Sequence, residues 1–196
     1  RIFPLETGER VFSSETGQLQ STGLETDVAM LNGAYLFIQP PDGEVALSRR
    51  GDFGVDTENR LVDGVGNLIL SDGLQPIILP PFTAIKFSDN GEVLVHQPGA
   101  LPGDFTSVGF LGSASPPTNS LTKSLDGKIR NLDGSVPDVD QSGLFAQGVL
   151  EGSNVNAIEE MVFNMDMQRQ FEINVKLIKQ AEEIDKSGTK LMGLPT

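Results

Sequence analysis

The sequence predicts a mainly β fold: an antiparallel, hairpin-rich domain of sandwich or open barrel-like form, followed by one long C-terminal α-helix. Two observations carry this. Between Asp27 and Gln147, short apolar runs are separated by Asn-Gly and Asp-Gly pairs at intervals near ten residues. After Gly148 the texture changes to a Met-rich run, reaching Ile184, in which apolar residues recur with helical spacing. Three segments result: an extended lead-in over 1–26, a β-rich domain over 27–147, and an amphipathic helical segment for assembly over 148–196.

The lead-in is polar, and Gly8, Gly17 and Gly23 interrupt its short apolar pieces. In the β-rich segment, Ala34–Ile38, Asn67–Leu70, Ile77–Leu79, Ile85–Phe87 and Val93–Val95 have strand length and strand-forming residues. Asn32-Gly33, Asp42-Gly43, Asp72-Gly73, Asn90-Gly91, Asp126-Gly127 and Asp133-Gly134 lie between or after such runs. Asx-Gly pairs tolerate the positive φ angles of tight turns, so their repetition predicts antiparallel hairpins rather than βαβ units. Pro80-Pro81 and Pro116-Pro117 mark loops or sheet edges.

The helix is expected to begin near Asn156, whose side chain caps it while Glu159 completes a capping box; Asn154 helps fix the junction. Gly188 and Gly193-Leu194-Pro195 read as its stop. Ile158, Met161, Val162 and Met165 fall on one stripe, which Phe171, Val175, Ile178 and Ala181 continue with some drift, polar Gln168 lying in its track. At roughly 1.5 Å per residue the run reaches about 40 Å, more than a small sandwich readily covers. Its methionines are flexible fillers suited to repeated interfaces. Intermolecular or inter-segment coiled packing is therefore expected of this face.

Composition removes several function classes. The chain has 196 residues, enough for a proper core, with hydrophobic residues at 38% and charged ones at 21%. A formal net charge of -13 argues against nucleic-acid partners, which require a basic footprint. The adjacent pair Arg49-Arg50 is too small to supply one. No stretch approaches the roughly 18 apolar residues of a membrane span, and the start lacks a signal-peptide core. With no cysteine, thiolate catalysis, disulfides and Cys-based metal sites are excluded.

No catalytic, cofactor or metal site is predicted. His96, the sole histidine, sits at a strand end, and nothing in the sequence suggests an orienting partner for general-base work. Asp and Glu are plentiful enough for a two-carboxylate glycosidase, but many of the aspartates precede Gly, and turn chemistry explains them without catalysis. Asp133 to Asp140 holds three aspartates without the residue order of a calcium loop. Gly64-Val65-Gly66 is half a dinucleotide fingerprint with no helix opening after it. A glycan-binding or glycan-cleaving β domain would need paired carboxylates or stacked aromatics in a concave site. The chain has no tryptophan, one tyrosine and 6% aromatics.

Two blocks resemble a known family. Gly148-Val-Leu-Glu-Gly-Ser-Asn-Val-Asn156, then Glu159-Glu160-Met161, Gln168-Arg-Gln-Phe-Glu172, Asn174, Lys176 and Ile178, is similar to the C-terminal signature of the bacterial flagellar basal-body rod and hook proteins. Thr22-Gly23, Asp27-Val-Ala29, Gly33, Phe37, Asp42-Gly43, Ser48-Arg-Arg-Gly51, Phe53, Asp56, Leu61-Val62 and Gly66 resemble the strand region that follows the N-terminal helix of these proteins. Lys123 to Arg130 looks more like the shorter proximal-rod member than like distal-rod or hook proteins. Phe171 stands where the family often has Tyr.

The resemblance implies a structural subunit of the periplasmic rod, exported without a cleaved signal and contributing to motility. Its terminal helices would pack in an inner coiled layer with the β domain outside, and its partners would be other rod subunits and its own N-terminal helix. Ile158, Met161, Val162, Met165, Phe171, Val175 and Ile178 would form the assembly interface. The family's N-terminal helix has no counterpart before Arg1. These residues alone are therefore expected to form a monomer or weak oligomer, frayed or opportunistically packed beyond about 157.

Overall fold

A strand can be buried on both faces only if both of its side-chain rows are apolar, and Tyr35-Leu36-Phe37-Ile38 meets that condition. In the computed structural model, which describes residues 14–41 and 43–193 apart from the side chains of 189–192, this run lies inside the largest sheet. The sheet is open and antiparallel, in the order β12 (Leu121–Lys123), β13 (Ile129–Asn131), β4 (Ala46–Ser48), β3 (Tyr35–Gln39), β7 (Leu68–Ile69), β6 (Leu61–Asp63), β5 (Phe53–Val55). A short strand, β11 (Ser113–Ala114), also pairs with β3. A second sheet runs β10 (Thr106–Phe110), β9 (Glu92–His96), β8 (Ala84–Phe87). Two ribbons complete the body: β2 (Val28–Met30) with β14 (Phe145–Gln147), and β1 (Leu19–Ser21) with β15 (Val149–Glu151). The predicted fold class is therefore correct, in its open-sheet form.

Side-chain alternation divides the interior in two. Leu36 and Ile38 face a large cluster with Ile69, Phe87, Val93, Val95, Leu111 and Phe145, so the second sheet packs on this side. Tyr35 and Phe37 face a smaller cluster with Leu47, Leu70, Ala114 and Leu121. Phe53 and Phe87 meet at a tilted 5.6 Å between ring centroids, joining β5 to β8.

The turns follow the sequence in part. Asn90-Gly91 reverses β8 into β9 and Asp126-Gly127 reverses β12 into β13; both glycines have positive φ. Asn32-Gly33 makes no hairpin, because β2 pairs with β14 while β3 pairs with β4 and β7. Asp42 lies outside the described residues, as do 1–13. The expected strand at Ile77–Leu79 contributes only one isolated bridge, Arg60 to Ile78, with another, Leu70 to Pro76, just before it. Pro76, Pro80 and Pro81 have no N–H to give a ladder on either side of it.

The described chain divides into two units at Asn154/Val155. The second unit is one helix, α1 (Ala157–Met192), of 36 residues. It is continuous over that length, for two reasons. It has a cap, and it is rich in Glu, Gln, Lys, Met and Ile with proline absent from its length. It also runs through Gly188, since one glycine costs a helix only about 1 kcal/mol. Of the expected stop, Leu194 and Pro195 lie outside the described residues.

Phe37 is fully buried at the centre of the sheet. Replacing it with alanine should cost about 3–5 kcal/mol, seen as a lower denaturant midpoint at unchanged slope.

Candidate assembly site

The stretch Gly148–Asn154 holds the start of the described chain against the end of the first unit. Gly148 turns at φ 75°, its N–H donating to the Asp27 carbonyl while its own carbonyl accepts from Thr22 and Gly23. β15 then pairs with β1, Leu19 opposite Glu151 and Ser21 opposite Val149. The Gly152 N–H donates to the Gln18 carbonyl at 2.9 Å, and Asn154 Nδ2 donates to the Glu15 carbonyl at 2.9 Å. Gly17 lies so close to the Gly152 carbonyl that a Cβ there would collide with backbone.

Glu151 is the centre of this arrangement. Its Oε1 accepts from the Gly17 N–H at 2.7 Å and from Arg49 Nη2 at 2.6 Å. Arg49 also donates through Nη1 to the Ser14 carbonyl at 3.0 Å. The two side chains are only 14% and 8% exposed. Removing one partner from such a pair leaves an uncompensated buried charge, a loss of about 3–5 kcal/mol. The contact is single-armed: Arg49 Nε and Glu151 Oε2 are buried without a hydrogen-bond partner, as is the Tyr35 hydroxyl. The Arg49 guanidinium lies 5.8 Å from the Tyr35 ring centroid. A cavity of about 470 Å³ adjoins, lined by these three residues with Ile129, Leu150 and the Arg50–Asp52 ion pair.

Three groups here titrate away from their ordinary values, with Arg50 raised by its hydrogen bond to Asp52. Burial pushes the Tyr35 phenol above 10.0, opposed by Arg49 and reinforced by the charge of Glu151. The hydrogen bond from Arg50 holds the Asp52 carboxyl below 3.8.

Asn156 Oδ1 accepts from the Ile158 N–H at 3.1 Å, and Glu159 and Glu160 occupy the first turn, where the helix dipole favours negative charge. Ile158, Met161, Val162, Met165, Phe171 and Ile178 are 53–73% exposed, and Val175 is half-buried. They do not form one stripe. The six residues from Met165 to Phe171 turn the chain through about 600°, so Phe171, Val175 and Ile178 centre about 120° away from the first four. Phe163 and Met167 extend this second face, while Ile173, Leu177 and Ile184 make a third; all five are exposed. A full helical wheel would have found these residues; following a single stripe does not.

The remaining chemical candidates are engaged elsewhere. His96 donates from Nε2 to the Leu101 carbonyl at 3.1 Å, and its Nδ1 lies 2.8 Å from Thr83 Oγ1. Asp133 accepts from Ser135, and Asp140 from Ser115 and Ser142. Among the described residues no cluster of three or more His, Asp or Glu could hold a metal ion. Gly64-Val65-Gly66 is the turn between β6 and β7. Arg49 and Arg50 are each paired with a carboxylate.

Residues 146–191, the junction and nearly all of the helix, match the model of the flagellar basal body rod FlgEFG protein C-terminal family. The flagellar basal-body rod protein FlgG of Borreliella burgdorferi is 34% identical over 183 residues, covering 90% of this chain and 67% of that protein. The chain belongs to the flagellar basal-body rod protein family. FlgF of Salmonella typhimurium is 29% identical over 184 residues, with 91% of this chain and 72% of the relative covered. FlgG of Buchnera aphidicola subsp. Acyrthosiphon pisum is 30% identical over 192 residues, covering 92% and 72%. The rod-family signature thus coincides with the segment that locks the lead-in and opens the helix.

Tyr35 is the sole tyrosine, so its titration can be followed by absorbance without interference from another phenol. It should ionise above pH 10.0 in the folded protein and return close to that value on unfolding. The folded pKa being the higher, its contribution to stability is present below pH 10.0 and is lost as pH rises through the folded value. Asn156→Ala should cost the helix about 1 kcal/mol, measured as faster amide exchange in its first turn.

Proposed function

We propose that this chain is a structural, non-catalytic subunit of the flagellar rod, placed in the periplasmic part of the basal body and assembled through its terminal helix. The observation that carries this is the coincidence of the rod-family signature with a 36-residue helix whose apolar side chains are exposed. A helix apolar on several sides is stable in water only with its neighbours in place. Other rod subunits, and in the full-length protein an N-terminal helix of the same chain, supply them. The roles follow the sequence segments: 1–26 as lead-in, 27–147 as the β body, 148–196 for assembly.

Ile158, Met161, Val162 and Met165 form one contact face of the interface, and Phe171, Val175 and Ile178 a second. Both are needed because two partners approach from different sides. Asn154, Asn156 and Glu159 set where the helix starts. No helix among the described residues is long and apolar enough to cross a membrane, which agrees with attachment through other rod subunits. A FlgF-like position is the first reading, on the likeness of Lys123 to Arg130. A FlgG-like position is the second, favoured by FlgG relatives at 30% and 34% identity.

Met165→Glu and Val175→Glu, introduced into the full-length gene, should each abolish rod assembly and motility. The melting of the β body should be unchanged. Normal swimming in both strains would remove the buried-face reading.

A further inference from the structure

Every residue of β1 is exposed, Leu19 at 50%. Apolar burial, which holds β2, β3 and β4, therefore does not hold the lead-in. Its contacts among the described residues are polar: a three-residue ladder, flanking backbone bonds, side-chain bonds from Asn154 and Thr118, and the ion pair of Arg49 with Glu151. That pair reaches both sides of the ladder. Glu151 accepts from Gly17, 134 residues away in sequence, and Arg49 donates to the Ser14 carbonyl from the end of β4. The ladder alone is weak, since so short an exposed ribbon opens easily. The buried pair converts it into a fixed joint.

We propose that Glu151, held by Arg49, is a positioning residue for assembly: a latch that keeps the incoming and outgoing chain of the β body side by side. With the latch closed, residues 14–21 and 149–154 run alongside each other at one edge of the body. Without it, β1 opens while the two interior clusters stay intact. Residues 14–21 and 149–154 are then free to separate. This deepens the rod reading by naming what sets the spacing of the chain ends, but it can be tested on the soluble chain without assembly. Failure of the latch and failure of the rod reading are therefore distinguishable.

The test is hydrogen exchange, read by NMR, on the wild-type chain and on Glu151→Ala, Glu151→Gln and Arg49→Met. In Glu151→Ala and Arg49→Met the amides of Gly17, Thr22 and Gly152 should exchange at least about tenfold faster. Those of Phe37, Leu61 and Leu70, bonded within the body, should change little. Glu151→Gln keeps one acceptor oxygen without the charge and should fall between wild type and Glu151→Ala; it also carries the test if the alanine variant does not fold. The double variant Arg49→Met/Glu151→Ala should exchange no faster at Gly17 than the worse single variant, because both remove one contact. Equal acceleration at Phe37 and Gly17 would show a general stabilising pair and overturn the latch, as would unchanged exchange at Gly17, Thr22 and Gly152.

Discussion

A carboxylate taken out of water has to be met by donors, and much of the layout at one end of this protein follows from meeting Glu151. Two donors converge on one of its oxygens, one from the backbone of the lead-in and one from Arg49 at the end of β4. The approach is close enough that Gly17 has no room for a side chain beside the Gly152 carbonyl. Arg49, fixed by the carboxylate, carries its own second contact to Ser14 and lies beside Tyr35. Charge, close backbone packing and strand pairing at this point are one constraint expressed three ways.

The strands were legible in the sequence wherever a run of apolar residues could act alone. Ala34–Ile38 and Val93–Val95 lie where their composition puts them, because alternation and β-branching are local properties. Ile77–Leu79 has the same composition, yet its neighbouring prolines deny it a continuous ladder. Asn32-Gly33 has the local chemistry of a hairpin turn, but the partner of each flanking strand is chosen far along the chain. Glu151 was visible only as a letter in a recognisable block. Its role depends on residues more than a hundred positions away, which no periodicity reports.

The helix shows a different limit. A short stripe at helical spacing is informative over two turns, but a step of six residues moves the next group around the cylinder. The consequence is a helix with apolar residues on three sides. A formal charge of -13 helps such a chain remain dispersed by mutual repulsion before it meets its partners. Charge in this molecule therefore acts at two scales, as a single buried pair within the body and as a diffuse field over the whole chain.

Adjacent points of entry and exit also make the β body a self-contained insert. A loop lengthened or a strand added between Ser21 and Val149 changes the size of the body without changing the distance between its ends. Segments joined at those ends are then insulated from what happens in between. Relatives that share the terminal signature are free to differ in the middle, where Leu125 and Leu132 already stand exposed around the β12–β13 hairpin. Such a joint lets the middle of the body vary while its two ends stay side by side.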